Sequence, residues 1–320
     1  MSSGPPGSRS QTETFFADGA PHEPELDPPY DVLEPSSLTS PLVFSSPHSG
    51  AVYPRRFLAT TRLDAMTLRR SEDAYVDELF AGVVAHGAPL IRARFPRAYL
   101  DLNREPYELD PRMFDGRLPV FANTRSVRVA GGLGTIARIV GDSQEIYAER
   151  LKVEDALARI DKLYKPYHRQ LRSLLERAQQ LFGVAVLVDC HSMPSVSSMP
   201  LPEKDASDRK IKADFVLGDR YGTSCETALV DMVEYEMSRL GYKVMRNKPY
   251  AGGFITEHYG DPANHFHAIQ IEVNRGLYMD ERTMDKAARF AKIGADLCHV
   301  ADQLACLLAA RRGNERAAAE

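Results

Sequence analysis

One segment limits the possible folds more than any other: residues 184–188 form an uninterrupted apolar run that leads directly into Asp189-Cys190-His191. A strand that is apolar on both faces has to be covered on both faces, so this run predicts a central strand of a sheet with helices on either side. Segments with helical apolar spacing and further strand-like runs occur on both sides of it in the sequence. The chain is therefore expected to be an α/β sheet protein.

Short apolar runs predict further strands, and three- and four-residue apolar spacing predicts helices. The predicted strands cover residues 41–46, 89–94, 99–102, 184–188, 215–217, 243–246 and 268–273. One helix is predicted to begin at Ser71, its possible N-cap, and further helices are predicted over residues 153–181, 226–240 and 280–309. Pro166 is expected to kink or divide the helix over 153–181, because proline lacks the backbone donor. The irregular stretch 105–141 is rich in Pro, Gly and Arg and is interpreted as an active-site cover.

The two ends of the chain differ in composition from its middle. Residues 1–37 contain two Pro-Pro pairs and several acids, but no signal-peptide pattern, and predict a disordered leader. A single domain is expected over 38–309, followed by a flexible Ala/Arg/Glu-rich tail over 310–320. No uninterrupted apolar run reaches the roughly 18 residues of a membrane span. A cytoplasmic protein without a membrane partner is expected.

Charge and cysteine usage exclude several classes of partner. With 40 Lys and Arg against 44 Asp and Glu, the net charge is -4 and no basic run stands out, so nucleic acid is not an expected partner. The four cysteines lack CxxC spacing, which favours neither a disulfide framework nor a cysteine zinc site. A small-molecule substrate is the expected partner, and the sequence gives no indication of the oligomeric state.

Two histidines follow predicted strands, and a pair of acids stands at the start of a predicted helix. His48 and His191 come at the ends of predicted strands, where ligands gather in open α/β sheets, and Glu72 and Asp73 stand where a helix is expected to begin. Two imidazoles and one carboxylate, with the fourth position open to water, are the ligands of hydrolytic zinc sites. The competing interpretations are a hydrogen-bonded structural role for each histidine and helix capping for the acids.

Several motifs occur together in one order along the chain. They are Ser46-Pro47-His48-Ser49-Gly50, Glu72-Asp73 with Val76-Asp77, Asp101-Leu102-Asn103-Arg104, Asp189-Cys190-His191-Ser192-Met193-Pro194 and Gln270-Ile271-Glu272-Val273-Asn274-Arg275. From about Pro41 to the helix expected near Asp280, the chain resembles the N-formylglutamate amidohydrolase family. The resemblance implies a mixed central sheet flanked by helices, phosphorylase/hydrolase-like as in zinc-dependent exopeptidases. It also implies zinc-dependent hydrolysis of the amide bond of a small N-acyl amino acid, with N-formyl-L-glutamate as the first candidate.

The resemblance also implies roles for particular residues. His48, His191 and one of Glu72 or Asp73 would bind zinc, and Asp73 is favoured because its distance from Val76-Asp77 fits the family's spacing. Glu272 would be the general base that takes a proton from water and passes it to the leaving amine. The alternative for Glu272 is an ion-paired carboxylate on the surface of a strand.

The substrate-binding residues that the resemblance implies are mainly arginines. Asn103 and Arg104 resemble the substrate-binding pair of zinc carboxypeptidases, and a guanidinium fork suits a carboxylate. Arg97, Arg138 and Arg275 stand in family-like segments and are further candidates, since a dicarboxylic amino acid has two carboxylates to hold. Arg97 and Arg138 are equally compatible with a structural role beside nearby acids.

Other interpretations of the same residues compete with zinc hydrolysis. A Cys190-His191 nucleophilic dyad is disfavoured, because successive residues on a strand point to opposite faces. The glycines of 131–134 match no phosphate-binding motif. A zinc amidase or peptidase with a different acyl substrate is the alternative within enzymes, because fold and zinc chemistry do not define the acyl pocket. A catalytically silent protein that binds an acidic amino acid is the alternative outside enzymes.

Overall fold

A computed structural model describes residues 23–141, 143–195 and 213–319 of the chain. The strands are β1 Tyr30–Leu33, β2 Leu42–Ser46, β3 Leu90–Ala93, β4 Phe114–Asp115, β5 Ile139–Val140, β6 Gln144–Glu145, β7 Leu151–Lys152, β8 Ala185–Met193, β9 Phe215–Gly218, β10 Val244–Arg246 and β11 Phe266–Asn274. The α-helices are α1 Arg55–Thr60, α2 Ala65–Arg69, α3 Val76–Phe80, α4 Val127–Ala130, α5 Val153–Arg159, α6 Lys165–Phe182, α7 Thr227–Arg239, α8 Phe254–Tyr259 and α9 Phe290–Ala319.

Seven of the described strands form one mixed sheet in the order β1-β3-β2-β8-β11-β9-β10. The four central strands β3, β2, β8 and β11 are parallel to one another, whereas β1 is antiparallel to β3 and β9 is antiparallel to β11. Helices cover both faces of this sheet, as described below. The predicted α/β fold with a mixed central sheet flanked by helices is confirmed.

The alternation of side chains along β2 and β8 explains their continuous apolar character. Val43 and Leu187 pack into an apolar cluster with α6, whereas Phe44 and Val188 pack on the opposite face into a cluster with α3, α7 and α9. All five residues of β2 and all nine of β8 are buried. A strand in this position needs apolar side chains on both faces, which is the basis of the prediction for residues 184–188.

Strand β8 is longer than its apolar run predicts. It continues through Asp189, Cys190 and His191 as far as Met193, so polar side chains lie inside the sheet near the carboxyl end of the strand. Its neighbour β11 is in register, with Glu272 beside His191 and Gln270 beside Asp189. The two longest of the described strands therefore also carry polar residues of the candidate site.

Pro166 divides the helical segment, as predicted. Helix α5 ends at Arg159, a π-helical turn Ile160–Tyr164 follows, and Pro166 lies in the first turn of α6. A proline has no N–H to donate to the preceding turn and is tolerated in the first turn of a helix.

Several expectations about individual segments are wrong. Ser71 does not cap a helix, because its hydroxyl donates to Leu68 O and α3 begins only at Val76, after Tyr75 in the left-handed region. Neither Glu72 nor Asp73 caps α3. Residues 99–102 are not a strand but follow a turn closed by the N–H of Tyr99 on Pro96 O. The apolar side chains of residues 99–102 are buried, so this turn contains the kind of apolar run that is typical of a strand.

The expectations for the chain ends are also corrected. Part of the predicted leader is ordered, because β1 pairs with β3 and Leu26 is buried in the core. Residues 1–22 lie outside the described part of the chain. The last helix begins at Phe290, ten residues later than predicted, and continues through the predicted tail to Ala319. The single-domain expectation stays a prediction.

One part of α9 is long and apolar enough to cross a membrane by length and composition alone, namely Phe290–Arg311. Four charged side chains interrupt it, and a third of the tested stretch is buried inside the molecule. Ile293, Leu297 and Leu304 pack with α3 and α7 in the core. These contacts are typical of a core helix, and the expected absence of a membrane partner stays a prediction.

Candidate metal and catalytic site

His48 lies in the loop after β2 and is almost completely buried, with 1% of its surface exposed. Its Nε2 is 2.8 Å from Asp101 Oδ1, and its Nδ1 is 3.4 Å from Asp73 Oδ2. The loop passes so close to the next strand that a Cβ at Gly50 would be 2.2 Å from Phe95 O, so only glycine fits there. The sequence Pro-His-Ser-Gly thus fixes where the imidazole enters the site.

His191 is held in the same way from the neighbouring strand. Its Nε2 is 2.9 Å from Asp189 Oδ2 and 3.1 Å from the Asn103 amide nitrogen, and its Nδ1 is 2.9 Å from Asp73 Oδ2. Residues two apart on a strand point to the same face, so Asp189 and His191 are adjacent by the geometry of β8 itself. Each imidazole therefore has Nε2 against a carboxylate and Nδ1 toward Asp73.

Asp73 is the carboxylate at which the two histidines meet. Its backbone N–H donates to His48 O, while Arg275 and Ser192 donate to its Oδ1 and leave Oδ2 to the imidazoles. Possible ligand atoms of His48, Asp73 and His191 all lie within 4.8 Å of one another. Glu72, the alternative acid, accepts hydrogen bonds from Tyr53 and Arg69 instead. Of the two acids, the geometry brings Asp73 to the histidines.

The donor set fits a metal ion. In the described structure His48 Nδ1 is buried and has no hydrogen-bond partner, although it faces the carboxylate of Asp73. When Nε2–H donates to a carboxylate, as toward Asp101, Nδ1 carries a lone pair and would be repelled by Asp73 unless a cation lay between them. Burial by itself lowers the pKa of His191, but Asp189 and Asp73 raise it well above its ordinary value. The negative charges of the cluster thus favour a positive charge beside them, whether a proton or a metal ion.

Glu272 lies on β11, beside His191, and is buried. The amide of Gln270 donates to Glu272 Oε1 at 2.8 Å and accepts the N–H of Gly253, which fixes both side chains. Burial raises the pKa of Glu272 to about 7, with a contribution from the charge of Asp73 and against the opposing charge of His191. A carboxylate with a pKa near neutrality is suited to general acid–base catalysis. Its alternative role as a surface ion pair does not fit this burial.

Asp101 connects His48 to two arginines. Its Oδ2 accepts from Arg97 Nη2 at 2.9 Å and lies 3.7 Å from Arg104 Nη2, while its Oδ1 faces His48 and also accepts the N–H of Asn103. Burial alone would raise the pKa of Asp101, but the positive charges of Arg104, His48 and Arg97 hold it well below its ordinary value. The carboxylate is ionised and orients the His48 ring.

The remaining predicted arginines have different surroundings. Arg138 is paired with Asp110 and Glu145, and within the described ranges it contacts none of the histidines or their carboxylates. Arg275 uses its guanidinium to bind Asp73 and the carbonyl oxygen of Glu72. The geometry favours a structural role for Arg138 and a positioning role for Arg275.

Asn103 is fixed by contacts on both sides of its amide. Its Oδ1 accepts the N–H of Ile255 at 2.7 Å, and its Nδ2 contacts His191. A Cβ at Gly253 would be 2.3 Å from the Asn103 amide, so the glycine permits this approach. The backbone at Gly253 thus closes on Asn103.

Some residues of the site have roles that the sequence did not reveal. Asp101 and Asp189 orient the two histidines, and Gln270 positions Glu272. All three stand in the motifs quoted above, two residues from a residue of the site, so the two-residue period of a strand offered a signal for Asp189 and Gln270.

Two other features lie apart from this cluster. Cys190 points to the opposite face of β8, into the apolar cluster, as the strand geometry predicts. A cavity of about 630 Å³ is lined by Phe57, Tyr99 and Arg159 among others, but by none of the histidines or Glu272. The convergence of chemical groups, rather than the size of a cavity, therefore locates the candidate site.

A family model described as N-formylglutamate amidohydrolase matches residues 40–279, which contain every residue of this cluster. The chain belongs to the N-formylglutamate amidohydrolase family. The resemblance in the sequence motifs is thereby confirmed.

Individual relatives of this family agree in sequence and in fold. An N-formylglutamate deformylase of Pseudomonas putida is 30% identical over 247 residues, which cover 75% of this chain and 82% of the relative. The crystal structure of N-formylglutamate amidohydrolase from Ralstonia eutropha has a TM-score of 0.79 and 37% identity, with 89% of this chain and 99% of that chain covered. A gene product of Agrobacterium tumefaciens has the same fold, with a TM-score of 0.61, 17% identity, and 86% and 94% of the chains covered.

Proposed function

We propose that this chain hydrolyses the amide bond of N-formyl-L-glutamate to give formate and L-glutamate, with a zinc ion held by His48, Asp73 and His191. The observation that carries the proposal is the meeting of two imidazole Nδ1 atoms and one carboxylate oxygen in a buried cluster. The names of the related deformylases and of the matching family support the choice of substrate.

Zinc is the metal proposed because its ligands in hydrolytic sites are histidine nitrogens and a carboxylate oxygen. When bound, it would supply Lewis-acid chemistry, polarising the amide carbonyl and lowering the pKa of a water molecule. The carboxylates of Asp101 and Asp189 support this choice, since imidazoles that bind a metal commonly donate their other N–H to an acceptor of this kind.

Protein side chains would perform the remaining steps. Glu272 would take a proton from the attacking water and deliver it to the amine nitrogen of the departing glutamate. Its burial and its pKa of about 7 favour both directions of transfer near neutral pH. Arg97 and Arg104, which lie on either side of Asp101, would bind carboxylate groups of the substrate.

The test has a metal-binding arm and a substrate arm. Purified protein should contain about one zinc per chain by elemental analysis, and His48→Ala and His191→Ala should remove it. His86→Ala is the matched control, because His86 is half exposed and pairs with Asp302 outside the cluster. Variants with full zinc content would exclude these ligands.

The substrate arm compares N-formyl, N-acetyl and N-succinyl derivatives of glutamate, glutamine and alanine. Formate release should be fastest from N-formyl-L-glutamate and should stop after chelation. A higher kcat/KM for another acyl group would replace the proposed substrate while leaving a zinc amidohydrolase.

A further inference from the structure

Arg104 does not offer a complete fork to a substrate. Its Nε donates to Leu133 O at 2.9 Å and its Nη1 donates to Asn103 O at 2.7 Å, so the Nε donor that a two-bond contact at the Nε–Nη2 edge needs is already used. Only 14% of the side chain is exposed. A carboxylate could still approach the Nη groups, but it would lack part of the two-bond grip that makes arginine a strong anchor.

A second guanidinium group reaches the same place. Arg128, on the short helix α4, points its Nη1 at Asn103 O, at a long distance of 3.4 Å. Arg104 and Arg128 thus share one neutral acceptor, in a residue whose side-chain amide contacts His191. The sequence motifs give no signal for Arg128, because it stands in the irregular stretch 105–141.

The charges around these groups are not balanced. Arg97 is paired with Asp101, which Arg104 also approaches, but within the described chain Arg128 forms no ion pair. Burial lowers the pKa of Arg104, and the charges of Arg97 and Arg128 lower it further, against the opposing charges of Asp101 and Glu108. Two guanidinium groups that share an uncharged oxygen repel each other, and an anion between them would relieve this repulsion.

The geometry points to Arg128 as a specificity-determining residue that, together with Arg104, binds one carboxylate of a dicarboxylic N-acyl amino acid. This inference rests on the proposed function for the identity of the substrate. It extends that function by assigning one carboxylate to a pair of arginines next to Asn103. Two guanidinium groups would select a carboxylate over the corresponding amide by charge as well as by hydrogen bonding.

The test compares Arg128→Gln with Arg125→Gln. Arg125 is exposed on the same segment, so its substitution changes the net charge equally without touching Asn103. Arg128→Gln should raise KM for N-formyl-L-glutamate roughly tenfold or more with a smaller change in kcat, the scale of a lost charge-assisted contact. Arg128→Lys, which keeps the charge, should lie between this variant and the wild type, and Arg125→Gln should match the wild type.

Two mono-amides of the substrate identify the carboxylate that is bound. N-formyl-L-glutamine lacks the side-chain carboxylate, and N-formyl-L-glutamic acid α-amide lacks the other. Hydrolysis of one of them should be insensitive to Arg128→Gln, because that amide already lacks the carboxylate that Arg128 would bind. Equal KM values for Arg128→Gln, Arg128→Lys and Arg125→Gln on N-formyl-L-glutamate would overturn the inference.

Glutarate binding, measured by calorimetry on the zinc-loaded protein, separates this inference from the proposed function. A dissociation constant that rises roughly tenfold or more in Arg128→Gln but not in Arg125→Gln supports the arginine pair even if N-formyl-L-glutamate is not cleaved. If the wild type cleaves N-formyl-L-glutamate and glutarate affinity is the same in all variants, the arginine pair is wrong and the proposed function stands.

Discussion

Asp101→Asn should weaken zinc binding without removing any proposed ligand. The carboxylate of Asp101 accepts from His48 Nε2 at 2.8 Å and from the N–H of Asn103 at 2.9 Å. An asparagine Oδ1 could accept both bonds, whereas its amide nitrogen would replace the oxygen that accepts from Arg97. The charge is lost, and with it the electrostatic support that makes the other nitrogen of His48 a better ligand.

The size of the effect follows from the type of hydrogen bond. A bond to a charged group contributes about 1.5–3 kcal/mol, and a neutral one about 0.5–1.5 kcal/mol. A loss of about 1–2 kcal/mol at His48 corresponds to roughly a 5- to 30-fold weaker zinc affinity. Substituting partners of this kind in metal sites costs about 10- to 100-fold in affinity or activity, which agrees with that range.

The assay is a competition titration of zinc against a chromophoric chelator. Asp110→Asn is a close control, because Asp110 is also buried and also pairs with two arginines, Arg112 and Arg138, but contacts no histidine. Zinc affinity should fall in Asp101→Asn and stay near the wild-type value in Asp110→Asn. Equal affinities in the two variants would refute the argument that Asp101 acts through His48.

Three further predictions concern the base, the anchor and the pH dependence of stability. Glu272→Gln should keep zinc and fold but lose roughly 10²-fold or more in kcat, since a positioned acid–base group is lost. Arg104→Lys should lower the preference of kcat/KM for N-formyl-L-glutamate over its amides, because an ammonium cannot replace a guanidinium group that donates to Leu133 O and Asn103 O and still faces the substrate. Burial lowers the pKa of His168 to about 3, so the folded state keeps this ring neutral where the unfolded chain binds a proton. Stability should therefore fall as the pH drops below about 6.5, by roughly 2 kcal/mol from this residue between pH 7 and pH 5. Urea unfolding should show this loss in the wild type and a smaller one in His168→Gln.

Each of these predictions has an outcome that contradicts it. Near-normal turnover of zinc-loaded Glu272→Gln would mean that another group moves the proton. Unchanged selectivity in Arg104→Lys would remove Arg104 from substrate recognition. An equal loss of stability in the wild type and His168→Gln between pH 7 and pH 5 would assign the pH dependence to other groups.

The central strands could be predicted because a strand that is buried on both faces has an uninterrupted apolar sequence. Strands β2 and β8 are covered on both faces, which requires the apolar runs that identified them. His191 lies near the carboxyl end of β8 and Glu272 near that of β11, and these parallel neighbours in register bring the two residues together. The prediction for His191 depends on local pattern and on the rule that open sheets carry sites at that edge, whereas the prediction for Glu272 came from the family resemblance.

The roles of the arginines could not be predicted from the local sequence pattern. Arg104, Arg138 and Arg275 all stand in family-like segments, but one contacts carbonyl oxygens beside the histidines, one pairs with distant acids and one holds Asp73. The difference lies in partners that come from other parts of the chain. The sequence shows that a residue is charged, but the role of that residue depends on which carboxylate or carbonyl oxygen the fold places within about 3 Å of it.

The two histidines of the candidate metal site also differ in how far their partners could be predicted. Asp189 orients His191 from two residues away on one strand, so the regular alternation of β8 is sufficient to place it. Asp101 orients His48 from a different segment, and it arrives there because a turn at Pro96 replaces the strand that the apolar pattern predicts for residues 99–102. That turn also carries Asn103 to His191 and Arg104 toward Asp101. The part of the site that is proposed to bind the substrate therefore depends on an irregular segment, and the sequence pattern locates the proposed metal ligands better than the residues around them.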